Sequence, residues 1–398
     1  MLQFPLRPIS IALGITQIVA FGTSFYLLGV LAIPISESTG WPLPWIAGGM
    51  TLGALAGATI SPTVGEQISK GRGRKTLALS SVLFAAGLLV IASSSTLPVY
   101  FLGWIFVGFA MASGLYDAVF SVLGHIFGAG AKFSISLIAI LGGFASTVFW
   151  IASGMLLEVM HWRTICVIYA LCHVAINLPI YLLFIPSPSK VFATGGEQDE
   201  FRTKFYLRDL MQPDFLLMAF LFMLEVIIAS IIGVHIINIL VDMGRPLAGA
   251  VAFAALIGPS QVAGRIAELL AGSVVSPTIA TICALAAIGL GLLVMGIAPQ
   301  LAGPAIVIYG AGIGVVSIAR GTLPLHILGA SRYSVAMGHL ARPIAIAQAA
   351  APTIGALMLT YASSRDTLIM LVIATLIALS AATILHCRSV GTGRNKPR

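Results

Sequence analysis

The chain has 398 residues, of which 59% are apolar and only 9% are Asp, Glu, Lys or Arg. Soluble domains carry about 25% charged residues, and so few charges cannot cover a water-facing surface; a water-soluble globule is excluded. The net charge of +8 does not signal a nucleic-acid partner, because the basic residues lie in a few short segments between long apolar runs.

A helix crosses a bilayer in about 20 apolar residues, and helices satisfy their own backbone where water is absent. In chain order the apolar runs predict spans at 9–34, 44–66, 76–96, 98–127, 133–158 and 162–185. A second set follows at 214–241, 246–271, 274–297, 301–328, 335–361 and 366–386. The runs are continuous, unlike the alternating short strands of a barrel. The first run, behind Arg7, looks like a signal sequence but lacks a convincing cleavage site, so it is expected to stay as the first span. The expected organisation is an all-α membrane protein. An N-terminal six-helix bundle (1–186) leads through a linker (187–212) to a C-terminal six-helix bundle (213–387) and a basic tail (388–398). The linker carries Gly195-Gly196 and then Glu197, Asp199, Glu200, Arg202, Lys204, Arg208 and Asp209; it reads as a solvated segment with room for a short surface helix.

Lysine and arginine mark the cytoplasmic side of a membrane protein. With the N-terminus inside, the inside segments hold Arg7, Lys70, Arg72, Arg74, Lys75, Lys132, Lys190, Arg202, Lys204, Arg208, Arg265, Arg332, Arg388, Arg394, Lys396 and Arg398. The outside loops hold only Arg163, Arg245 and Arg365. This bias places both termini and the linker in the cytoplasm, in a bacterial inner membrane. The two halves also echo each other. His125-Ile-Phe-Gly128-Ala precedes Lys132-Phe-Ser, and His326-Ile-Leu-Gly329-Ala precedes Arg332-Tyr-Ser. Paired six-helix repeats suit a transporter whose halves rock about a midplane site.

Between spans two and three the chain reads Gly65-Glu-Gln-Ile-Ser69-Lys70-Gly-Arg72-Gly73-Arg74-Lys75. This run resembles the signature loop of the major facilitator superfamily, in which a Gly, an acid–base pair and a second Gly with basic residues join those spans. With twelve spans, a central linker and the internal echo, the resemblance covers the whole chain. It implies two six-helix pseudo-repeat bundles working by alternating access, with spans one, four, seven and ten lining the cavity. It also implies a conformational role for Gly65, Lys70 and Arg74. Ser69 departs from the family, which usually has Asp there; that Asp helps latch the two halves on the cytoplasmic side. The matching loop of the second half, Gly258-Pro-Ser-Gln-Val-Ala-Gly264-Arg265, keeps one basic residue. Span five lacks the Gly-Pro motif of drug/proton antiporters and reads Gly142-Gly143-Phe-Ala-Ser-Thr-Val-Phe-Trp150.

A charge inside a span needs a partner or a task. Glu225, mid-span in span seven, is a candidate for loading and releasing protons or for a buried ion pair. Arg320, in span ten, carries a permanently charged guanidinium that fits a carboxylate; it serves either to anchor an anionic solute or to bridge two helices. Asp117 in span four is either a coupling acid or, as the resemblance implies, the partner of Arg72 or Arg74. Arg342 precedes Pro343 in span eleven and either snorkels to the cytoplasmic mouth or binds solute. Gln17, Tyr26 and Trp150 are further polar candidates for the solute site, as are His235, Asn238 and Gln348; each also fits an ordinary inter-helix hydrogen bond. Gly49, Gly53 and Gly57 form a small-xxx-small seam for close helix packing.

These residues point to a secondary transporter of a small organic solute, driven by a proton or another coupling ion, with membrane lipid as its solvent. A small carboxylate-type anion is the first expectation for the solute, from Arg320. An amphipathic aromatic metabolite or drug is the alternative, and a non-transporting membrane sensor or enzyme is the alternative of another class. Cys166, Cys172, Cys283 and Cys387 form no zinc spacing, and no nucleotide-binding loop or serine-hydrolase elbow occurs. Neither a metal, a cofactor nor nucleic acid is expected.

Overall fold

The computed structural model describes residues 8–186, 207–272 and 274–391. Most of the expected linker and the end of the tail, 392–398, lie outside the described residues, as do Arg7, Lys190, Arg202 and Lys204. The described chain is helical. The first half runs α1 (Pro8–Gly22), α2 (Leu28–Thr39), α3 (Leu43–Gln67), α4 (Gly73–Ser93), α5 (Leu97–Gly114), α6 (Tyr116–Phe127), α7 (Lys132–Gly142), α8 (Ala145–Leu157), α9 (Trp162–Cys172) and α10 (Leu178–Phe184). After a single turn at Leu207–Leu210, the second half runs α11 (Pro213–Asp242), α12 (Leu247–Ala254), α13 (Ile257–Ala271), α14 (Pro277–Ile297), α15 (Ala302–Leu328), α16 (Ala330–Tyr361) and α17 (Ser364–Gly391).

Helix ends follow local chemistry. Proline opens or nearly opens α3, α5, α11 and α14, where the missing N–H costs nothing. Gly40 closes α2 at φ 73°, a left-handed cap that glycine adopts without strain. Several passes are broken midway. Pass one pairs α1 with α2, pass four α5 with α6, pass five α7 with α8, and pass eight α12 with α13, while in pass six α9 runs into α10 through a π-helical stretch, His173–Asn177. Grouped this way, the described helices are consistent with twelve passes.

The chain forms two compact units. The first comprises Met1–Phe205 with Leu328–Ala345, and the second Tyr206–Ile327 with Ile346–Arg398. Helix α16 is therefore shared: its first half belongs with the N-terminal passes.

The core of the first unit is bound by glycine. A Cβ on Gly53 would lie 2.6 Å from the carbonyl oxygen of Trp104, and one on Gly57 2.6 Å from that of Gly108. The Gly49–Gly57 seam thus lets α3 and α5 touch backbone to backbone, with Trp104 and Tyr100 buried beside it. In the second unit Gly312 lies against Ala284 of α14, while Gly310 and Gly314 face Ile257, Ser260 and Gln261 of α13. The segment 258–265, the second-half counterpart of the signature loop, lies within α13, inside the expected span 246–271. Gly264 backs onto Ala311, and Arg265 is buried with its Nε donating to Ser317 Oγ at 3.0 Å.

Replacing Gly53 by Leu should destabilise the protein by about 1–3 kcal/mol through overpacking. Replacing Gly48, whose Cβ would meet nothing within 4 Å, by Ala should not. Thermal unfolding of the two purified variants checks the contrast; equal melting would remove the seam from the packing account.

Candidate functional site

In the second unit, α11 carries Glu225 and α15 carries Arg320. Glu225 and Arg320 are both half-buried, and the guanidinium acts electrostatically on the carboxyl. Tyr309, one of the largest fully buried side chains and also on α15, senses the same carboxylate. The sequence-predicted acid and base are thus brought together, and Tyr309 joins them without having been singled out. A tyrosine in an apolar run is common enough to carry no signal by itself. Near the other end of the same pass seven, His235 Nε2 is 3.1 Å from the carbonyl oxygen of Pro352 in α16, while Asn238 is exposed.

The first unit holds a neutral, aromatic arrangement. Pass one breaks at residues 23–27, and the break places Phe25 and Tyr26 next to each other, ring centroids 5.3 Å apart. Tyr26 meets Trp150 of α8 edge-on at 5.7 Å, and the Trp150 indole donates to the Tyr26 carbonyl at 3.2 Å. On the other side Phe25 neighbours Phe21 at 6.4 Å, Phe21 meets Tyr116 at 4.5 Å, and Tyr116 stacks on Phe120 at 5.0 Å. Six rings from passes one, four and five therefore form one ladder. Two predicted residues, Tyr26 and Trp150, lie on it.

Pass four breaks where Leu115 turns extended, and α6 starts at Tyr116. Gln17, fully buried, donates from Nε2 to the Gly114 carbonyl at 2.9 Å, the acceptor that the break leaves without a helical partner. Asp117 sits half-buried in the first turn of α6, where the helix dipole favours an acid, and its charge reaches Tyr333.

The conformational loop is a tight kink rather than an open loop. α3 and α4 meet across Ile68–Arg72, where Gly71 turns left-handed at φ 74°. Lys70 pairs with Glu66, Arg72 donates to Gln67 at 2.8 Å, and Arg74 is half-buried. Gly65 packs on the start of α16: its Cβ would lie 2.5 Å from the Ser334 carbonyl and 3.0 Å from Gly338. Ser334 donates to the Ser121 carbonyl at 3.0 Å, and the Tyr333 ring covers Gly124. His339 senses both Arg342 and Glu66. Arg342 itself is exposed and belongs to this cluster, in the first unit, while Arg320 lies in the second.

Over residues 13–341 the sequence matches the family model described as Major Facilitator Superfamily. The chain belongs to the major facilitator superfamily. It is therefore an integral, multi-pass membrane transporter and not an enzyme. No curated protein matches it significantly in sequence. Among solved structures it is similar to the proton:xylose symporter XylE bound to 6-bromo-6-deoxy-D-glucose, with 10% identity, a TM-score of 0.76, and 93% of this chain and 94% of that one covered. It is similar too to the E. coli fucose:proton symporter FucP, with 14% identity, a TM-score of 0.71, and 96% and 98% covered. The human organic anion transporter MFSD10 follows, with 14% identity, a TM-score of 0.70, and 96% and 100% covered. At such identities the likeness concerns the fold. All three align almost end to end, which fits the superfamily's twelve-helix architecture.

Contact between Gly65 and Gly338 leaves no room for side chains. A Gly338→Leu variant should therefore separate α3 from the start of α16. A cysteine placed at Ser334, which is buried in this structure, should then react faster with a membrane-impermeant maleimide than it does with Gly338 intact. Equal labelling would show that the contact does not hold this arrangement.

Proposed function

We propose that this chain is a proton-coupled secondary transporter of a small organic anion, working by alternating access between two six-helix halves joined by a cytoplasmic linker. The observation behind the reading is that Glu225 on α11 and Arg320 on α15, both half-buried, lie within electrostatic reach of each other. A guanidinium whose charge a nearby carboxylate compensates is a poor anion site. When Glu225 takes a proton, Arg320 loses its partner and becomes a receptor for the carboxylate of a solute, which its forked donors fit. Proton and anion then bind together, so the loaded site carries no more net charge than the empty one. Charge is costly at that depth, so neutral loading and unloading is the route that the dielectric favours. Tyr309 beside the pair supplies a hydroxyl within reach of the same field.

The positive-inside bias supports a bacterial inner-membrane placement with both termini in the cytoplasm. Asp117 is assigned a secondary, coupling or structural role at the start of α6. Gln17 holds the fourth-pass break, and Gly65, Lys70 and Arg74 form the turn that α16 covers.

In proteoliposomes with an imposed pH gradient, short mono- and dicarboxylates should accumulate and neutral hexoses should not. Arg320→Ala should weaken anion uptake by about 10- to 100-fold, the worth of a charge-assisted hydrogen-bond pair. Glu225→Gln should abolish accumulation driven by the pH gradient while anion exchange at equal concentrations persists. Hexose accumulation, or gradient-driven uptake by the Glu225→Gln protein, would defeat the proposal.

A second reading rests on the aromatic ladder of the first unit, which suits an amphipathic aromatic solute stacked on Tyr26 or Trp150. It expects Tyr26→Ala to lose transport of an aromatic amine such as a labelled quaternary ammonium dye, with Arg320→Ala unaffected. The opposite pattern returns the decision to the anion.

A further inference from the structure

His173 has no part in the reading above and was not among the candidate residues. It is completely buried, in the middle of pass six, where α9 passes into a π-helical stretch, His173–Asn177; the Leu178 N–H reaches back to the His173 carbonyl. A π-turn is rare and costs helix geometry, and it occurs mostly where a side chain must be aimed. Here the stretch aims two polar side chains at pass one. His173 Nε2 is 2.7 Å from Thr23 Oγ1, and His173 Nδ1 is 3.2 Å from Asn177 Nδ2. Asn177 Nδ2 also donates to the Thr16 carbonyl at 3.3 Å, and Thr23 donates its own hydroxyl proton to the Val19 carbonyl at 2.8 Å. These donors fix the tautomer. Thr23 has spent its proton, so Nε2 carries the hydrogen and donates to Thr23, while Nδ1 accepts from Asn177. Phe84 lies flat on the imidazole at 4.4 Å and 17°, which leaves the ring no freedom to turn.

The node grips pass one at Thr16 and Thr23, on either side of the last turn of α1. Immediately beyond Thr23 the helix is lost over residues 23–27, and that stretch contains Phe25 and Tyr26. Where α1 ends therefore decides where the central rings of the aromatic ladder stand. We infer that His173 is a positioning residue: through Thr23 it clamps the end of α1 and sets the placement of the first-pass break, and with it Phe25 and Tyr26 against Trp150. The inference stands on the first unit alone and is independent of which solute is carried.

The two ring nitrogens can be tested separately. In His173→Gln the side-chain amide nitrogen stands near the place of Nε2 and keeps the donor to Thr23. In His173→Asn the amide stands near Nδ1 and the bond to Thr23 is lost. Thr23→Val removes the acceptor with almost no change of shape and serves as the second route if His173→Asn does not fold. Hydrogen–deuterium exchange of the purified full chain should show peptides covering residues 20–30 exchanging about tenfold faster in His173→Asn and Thr23→Val, the worth of one hydrogen bond. Peptides from passes seven to twelve should be unchanged, and His173→Gln should remain at the rate of the parent protein. Trp150 emission, isolated by subtracting matched Trp150→Phe proteins, should shift in the first two variants and stay in place in the third. Unchanged exchange at 20–30, a uniform rise across all passes, or a Gln variant no better than Asn would each overturn the assignment.

Discussion

Hydrocarbon offers a backbone carbonyl no water, and every interruption of a membrane helix must be repaired by some other donor. The first unit interrupts three of its passes midway and puts a π-helical stretch into a fourth, and its polar side chains are distributed accordingly. Gln17 repairs the Gly114 carbonyl at the pass-four break. At the pass-one break Ser24 Oγ donates to the Ala20 carbonyl at 2.5 Å. Tyr116, just beyond the pass-four break, adds a bond to the Ala139 carbonyl at 3.2 Å, which the Gly143 N–H also reaches, and Asn177 adds one to the Thr16 carbonyl at 3.3 Å. Side-chain bonds therefore stitch pass one to passes four and six, and pass four to pass five.

The two units handle polarity differently. The first meets its needs with neutral groups: amides, hydroxyls, one imidazole and a row of rings. One cluster of charge lies at the turn after α3, where Glu66, Lys70 and Arg342 surround His339, while Asp117 sits in the first turn of α6. The second unit has fewer breaks and keeps charge within its helices, in Glu225, Arg320 and the buried Arg265 and Glu268. Glu225 and Arg320 sit on the continuous α11 and α15, whose backbones need no help, while Arg265 and Glu268 sit on α13 beyond the pass-eight break. Glycine-lined seams bring α15 against α13 and α14 in that unit and give the charged side chains rigid platforms.

Much of this was legible from residue type and depth. Glu225 and Arg320 stand out because a charge in a span is rare, and their pairing follows once the passes that hold them are neighbours. Gly49, Gly53 and Gly57 announced a seam by spacing alone, although only the structure shows that Trp104 and Gly108 supply its other wall. His173 and Asn177, four residues apart in an apolar run, carry the same kind of signal as His235 and Asn238. A buried imidazole is informative only when its partners are known, and Thr23 lies 150 residues away. The first-pass break gave no proline to mark it, since Gly22-Thr23-Ser24 is unremarkable inside a span. Gly258–Arg265, the second-half counterpart of the signature loop, lies inside the expected span 246–271, and of its two glycines Gly264 serves helix contact, against Ala311, while Gly258 meets nothing within 4 Å. The Ser69 departure removed an expected carboxylate, and Glu66, one turn earlier, brings one to the same turn.

In the anion proposal, Glu225 and Arg320 do more than bridge two helices. Replacing a buried ion pair by apolar residues is often neutral or stabilising, whereas removing one partner alone costs about 3–5 kcal/mol. Glu225 and Arg320 are half-buried, so that figure is an upper bound for them. On that proposal, protonating Glu225 is the reversible equivalent of removing one partner, and a solute carboxylate relieves the penalty left on Arg320. The selectivity of such a site would reside in the penalty more than in any contact with the solute: a neutral solute would leave the guanidinium uncompensated, and an anion arriving before the proton would find it already taken.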